Sequence, residues 1–228
     1  MEKEVSIGFR GFSRDSLNFL HELGMNNSKT WFEANRSKYE DLYEEFTRFV
    51  LSLNDAMSKI DPDFEMRPSK VISRIYRDLR FSRDKTPFRT CTWITYKRPR
   101  IDMNESPVFF FELSPEQYRY GMGFYAATKR TLDSYREGIK KDPEYFSEMV
   151  RIIEKNRFAP EGEMYKKRIE NDLPEKLQKW FQRRNLYIIR NCPIDDDLFS
   201  PKISKRIQKE FEILSPVYNF LWSIKGEK

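Results

Sequence analysis

The chain has 228 residues, with 42 Lys or Arg against 36 Asp or Glu, a net charge of +6, 39% hydrophobic and 15% aromatic residues, and a mean hydropathy of −0.79. That length can bury a substantial core, and the aromatic content argues against disorder. No apolar run reaches the length of a signal peptide or a membrane span. There is one histidine, His21, and there are two cysteines, Cys91 and Cys192, far apart and in no CxxC. Most His-rich metal sites and a disulfide framework are thereby excluded, and any Ser-His-Asp or Cys-His triad would have to use His21. His21 falls on a helix near its C-terminal turn, where it reads as a surface or packed histidine. The expectation is a reduced, cytoplasmic protein with no membrane attachment, no metal and no cofactor.

In chain order, residues 1–12 read as a loose lead-in anchored by Phe9 and Phe12. Ser13 can cap a helix over 14–23 that stops at Gly24. Asn26-Asn27-Ser28 is a turn and cap cluster, and Thr30 to Glu33 fits a capping box. A long helix to about Lys59 follows, with a core stripe of Phe32, Tyr39, Leu42, Phe46, Phe49, Leu53, Met57 and Ile60. Asp61-Pro62 ends it. Residues 71–81 alternate like a strand, with Val71, Ile75, Leu79 and Phe81 on one side and Arg74, Tyr76, Asp78 and Arg80 on the other. Residues 81–88 read as a turn, 90–96 as a second strand and 97–107 as a loop. Strands over 108–113 and 117–126 flank Ser114-Pro115-Glu116. In the latter, Gly121 and Gly123 leave one face bare, which marks close approach by a ligand, a ring such as Trp93 or another backbone. Helices are expected from Lys129, Pro143 and Glu175, then a short strand over 186–190. Asp195-Asp196-Asp197 could coordinate a cation, but acids before a helix usually compensate its dipole. A last helix opens at Ser200-Pro201, and Pro216 should kink or split it. The fold class is α+β: a single domain over 1–228, with an antiparallel sheet of about residues 71–126 plus the short later strand, packed against N- and C-terminal helices.

Charge is concentrated in one window. Between Arg67 and Arg100 there are eleven Lys or Arg and two Asp, so this window is +9 while the rest of the chain is about −3. Arg74, Arg77, Arg80, Arg83, Lys85 and Arg89 supply the charge, and Asp78 and Asp84 can orient guanidiniums by charge-assisted hydrogen bonds.

These residues carry a resemblance. Asn26-Asn27 followed by Trp31-Phe32, then the run Arg74-Ile75-Tyr76-Arg77-Asp78-Leu79-Arg80-Phe81-Ser82-Arg83-Asp84-Lys85-Thr86-Pro87-Phe88, and later Gly121-Met122-Gly123-Phe124-Tyr125 with Leu132 and Arg136, resemble the bacterial "domain of unknown function 2461" family. The resemblance spans nearly the whole chain and implies no established activity. In that family the Pro is usually followed by Tyr and Lys. Phe88 and Arg89 here keep the ring and the charge and remove the phenol, so no role for that hydroxyl carries over.

Three readings of the window stand side by side. The first is a basic pocket for a phosphate- or carboxylate-bearing small molecule, lined by Arg74, Tyr76, Arg77, Arg80, Arg83, Lys85, Arg89, Gly121 and Gly123, with Trp93 as a stacking surface. If catalytic, it would use Asp78 or Asp84 as general base. The second is an Arg-Asp network that braces the fold. The third, less favoured, is nucleic-acid binding through the same basic, aromatic-interleaved face.

Overall fold

The computed structural model describes residues 8–80, 83–101 and 106–224. The lead-in before Gly8, the Phe81 and Ser82 positions of the basic run, and part of the loop expected over 97–107 lie outside them.

Three helical segments open the fold: α1 (Arg14–Met25), α2 (Lys29–Ala34) and α3 (Arg36–Ile60). Ser13 caps α1 by accepting from the Ser16 amide at 3.0 Å. The expected single long helix is two, broken at Asn35, and the cap of α2 is Ser28 rather than a box at Thr30. A four-residue turn, α4 (Pro68–Val71), precedes β1 (Thr92–Tyr96), β2 (Val108–Leu113) and β3 (Gln117–Gly123). Then come α5 (Lys129–Lys141), α6 (Pro143–Lys155), β4 (Ala159–Glu161), α7 (Glu175–Phe181), β5 (Tyr187–Pro193) and α8 (Lys202–Ser223). Thr128 and Asp142 cap α5 and α6, as their side chains and spacing dictate. The short β4 carries no sequence signal of its own.

The five strands form one antiparallel sheet in the order β1-β2-β3-β5-β4. The fold is α+β, with α3 and α8 packed on one face of the sheet. Phe111 of β2 packs on Phe12 and Phe49, and Phe109 packs on Phe211 and Tyr218 of α8. Because strand side chains alternate, Ile94, Tyr96, Phe109, Phe111, Tyr118, Tyr120, Ile188 and Cys192 all point into this core. Their neighbours point to the opposite, outer face. Pro216 does not split α8, which runs through it. Proline removes the amide that would bond the Glu212 carbonyl, and the Ser215 hydroxyl donates to that oxygen at 2.8 Å instead. Among the described residues no helix is long and apolar enough to cross a membrane.

The strand expected over 71–81 does not form. Residues 72–77 run antiparallel to 87–94, but only Ile72 with Ile94 and Tyr76 with Phe88 make isolated bridges. Four steps on one side oppose six on the other, so the two chains are out of register between the bridges and no regular ladder can form. Ile72 and Ile75 are buried, whereas Leu79, expected inside, is 40% exposed.

Candidate functional site

The basic window folds as an irregular two-stranded arm, fixed at its base by the backbone. The Ser73 amide donates to the Trp93 carbonyl at 2.8 Å, and the Trp93 amide returns a bond to the Ser73 hydroxyl at 3.0 Å. Further out, the Arg77 amide donates to Pro87 and the Arg89 amide to Ile75, at 2.9 and 2.8 Å. A residue from another element locks this pairing: the Asn27 side chain donates to the Phe88 carbonyl and accepts from the Phe88 amide, both at 3.0 Å. Phe88 is buried, with its ring stacked on Phe32 at 4.2 Å. Tyr76 packs at a tilt against both rings and stays half exposed. The amide clamp of Asn27 was not legible in the sequence, where Asn26-Asn27-Ser28 fits a plain turn equally well.

The charged side chains divide into two groups. Arg77, Lys85 and Arg89 turn inward on the arm's own backbone. Arg77 donates to the Thr86 and Phe88 carbonyls at 3.1 and 3.2 Å and pairs with Asp84 at 2.9 Å. Lys85 donates to the Leu79 carbonyl at 2.9 Å. Arg89 donates to the Arg74 and Tyr76 carbonyls at 2.7 and 3.0 Å, and its guanidinium lies 4.8 Å from the centre of the Trp93 ring. The remaining arginines turn outward. Arg80 makes a two-pronged bond with Asp78 at 3.0 and 2.8 Å and stays open to solvent. Arg74 and Arg83 are exposed, and no protein acceptor meets either side chain among the described residues.

Both carboxylates are held below their usual range. Hydrogen bonds from the Arg80 side chain and amide push Asp78 down to about 2. The Thr86 amide and hydroxyl, with Arg77 behind them, hold Asp84 below its usual range. A carboxylate stabilised as the anion is a weak general base near neutrality, so the geometry suits orientation of guanidiniums better than proton abstraction.

The glycines are not part of this arm. A Cβ built on Gly121 would collide with the Ile188 carbonyl oxygen and lie 2.9 Å from its carbon, and one on Gly123 would lie 2.8 Å from Tyr187 Cα. The space that the sequence leaves bare is filled by the backbone of β5, not offered to a ligand. Two of the three acids at 195–197 are taken up by the protein: Arg206 bonds Asp195 and Asp197 at 3.1 and 3.2 Å, and Tyr118 donates to Asp195 at 2.9 Å. A groove of about 1060 Å³ between α5 and the end of α8 shares no residue with the arm. Lys129, Arg130 and Lys141 balance Asp133, Glu137 and Asp142 along it.

Replacing Asn27 by Ala should release the arm from the α1–α2 turn. The Phe88 carbonyl keeps Arg77, but its amide loses its acceptor beneath a buried ring, which costs roughly 2 kcal/mol. Hydrogen exchange at Arg77 and Arg89 should accelerate far more than exchange in α3 or α8. Equal protection in variant and wild type would remove Asn27 from this role.

No curated protein matches the chain. The family model described as "Conserved hypothetical protein (DUF2461)" matches residues 15–220, a span that includes the Asn27 clamp and the whole basic arm.

Proposed function

We propose, for a chain that belongs to the DUF2461 family, that the basic arm is a binding element for phosphate- or carboxylate-bearing ligands, with Arg74, Arg80 and Arg83 as the contacting cations. The observation that carries this reading is the division of labour among the basic groups. Arg77, Lys85 and Arg89 hold the arm's backbone in place, while Arg74 and Arg83 are exposed and meet no protein acceptor among the described residues. A pre-set backbone lowers the ordering cost of binding, and guanidiniums match the geometry of phosphate and carboxylate oxygens. Asp78 and Asp84 act as orienting anions, so binding rather than catalysis is the role assigned here. A cytoplasmic setting fits the two free cysteines.

The second reading, an arm that only braces the fold, is favoured by the same inward bonds of Arg77 and Arg89. Thermal-shift and calorimetric titration with pyrophosphate and a panel of phosphorylated metabolites separates the two. Wild type should be stabilised in a salt-sensitive manner, and an Arg74→Ala/Arg83→Ala double variant should melt like wild type but lose most of the ligand shift. If no compound stabilises wild type more than the double variant, the arm is a brace.

A further inference from the structure

The base of the arm joins the sheet at Trp93, whose side chain lies on the outer face. The register places Trp93 opposite Glu112, Glu112 opposite Arg119 and Arg119 opposite Asn191 in one row. The next row is Thr95, Phe110, Gly121 and Ile189. All of these side chains lie on the face away from α3 and α8. The solvated face of an antiparallel sheet ordinarily carries small polar groups and charges. This one carries an indole and a phenyl ring, both only partly buried, with Tyr187 beyond them. Arg89 stacks on Trp93, and on the same face Arg119 makes a two-pronged bond with Glu112 at 2.7 and 3.1 Å. Cys91 belongs to the same face, since Glu112, Arg119 and Arg89 all act on its thiol. Burial and the Glu112 charge raise that thiol to about 11, so it contributes no nucleophile.

We propose that this outer face, continuous with the basic arm, is a platform for single-stranded nucleic acid, on which Trp93 and Phe110 stack bases while Arg74 and Arg83 take phosphates. Trp93 and Phe110 are diagonal neighbours on adjacent strands, a separation of about 7 Å, which suits successive bases of an extended strand. The combination of partly exposed rings on a sheet with a cationic rim matches a ligand that is both polyanionic and flat-ringed. A folded protein partner would use the rings without needing the arm, and a simple anion would use the arm without needing the rings.

The proposal rests on the anion-binding reading of the arm, and the test separates the two. Fluorescence anisotropy compares a labelled oligothymidine, an abasic deoxyribose-phosphate oligomer of the same length and pyrophosphate as competitor, at two salt concentrations. Trp93→Leu and Phe110→Leu keep apolar bulk on the sheet and remove the rings, and thermal melts check that each variant folds. The expected result is salt-dependent binding of oligothymidine with quenching of tryptophan emission. Each ring variant should bind it roughly 5- to 150-fold more weakly, as loss of one stacked base predicts, with abasic binding unchanged. The Arg74→Ala/Arg83→Ala variant should lose both oligomers. Equal affinity for abasic and base-bearing oligomers, or ring variants that bind like wild type, would overturn the platform and leave the arm as an anion site. Pyrophosphate binding without oligomer binding has the same meaning. If neither oligomer nor pyrophosphate binds, both readings fall.

Discussion

A Gly121→Ala variant should lose on the order of 3 kcal/mol of stability, enough to shift its urea midpoint well below that of wild type. The added methyl has no room to settle. It meets the carbonyl of Ile188 and, at 3.0 Å, Ile189 Cα, and these are backbone atoms of the neighbouring strand rather than the ends of flexible side chains. Relief would require β3 and β5 to part, and β5 also carries β4, so the strain spreads through the ladder from Gln117 to Tyr187. Circular dichroism against urea measures the loss. A variant within about 1 kcal/mol of wild type would mean that the two strands are less tightly apposed than described here. The same substitution leaves every arginine of the basic arm in place.

Replacing Asp61 by Ala should be comparably damaging, at about 3–5 kcal/mol, for an electrostatic reason. The Asp61 side chain is 1% exposed and joins three elements. Its Oδ2 accepts from Arg98 Nε at 2.7 Å and from the Tyr218 hydroxyl, and its Oδ1 accepts from the Asp63 amide at 3.0 Å. Removing the carboxylate leaves the Arg98 guanidinium between Asp63, at 3.1 Å, and the Trp222 ring, at 4.0 Å, and leaves the buried Tyr218 hydroxyl without its acceptor. A chain of this size loses roughly 2–4 °C of melting temperature per kcal/mol, so a drop of about 10 °C is expected by calorimetry. Asp61→Asn should fall between Asp61→Ala and wild type, because it keeps one acceptor oxygen and loses the charge. A melting temperature for Asp61→Ala within 2–3 °C of wild type would show that the contact is weak.

The helices were legible in the chain because their information is local. The stripe from Phe32 to Ile60 and the caps at Ser13, Thr128 and Asp142 act within a turn or two of the residues they govern. The strands over 92–96, 108–113 and 117–123 were legible for the same reason, since β-branched and aromatic residues alternate along them. So was the concentration of positive charge between Arg67 and Arg100. The break between α2 and α3 was missed because the apolar stripe continues across Asn35 and masks it.

The arrangement of that charge was decided only by tertiary structure. Alternation over residues 71–81 predicts a strand, yet unequal chain lengths between the two bridges prevent a ladder, and Leu79 faces outward as a result. Which arginines hold backbone carbonyls and which stay in solvent depends on where Phe88, Trp93 and Asn27 lie in space, and Asn27 is 61 residues from the Phe88 it clamps. The glycine pair in β3 signals close approach in the sequence, but only the position of β5 identifies what approaches. Asp61 reads as a helix end and becomes a buried junction only when Arg98 and Tyr218 meet it. Side-chain type and spacing set local conformation and total charge; long-range pairing set which groups were consumed and which were left available.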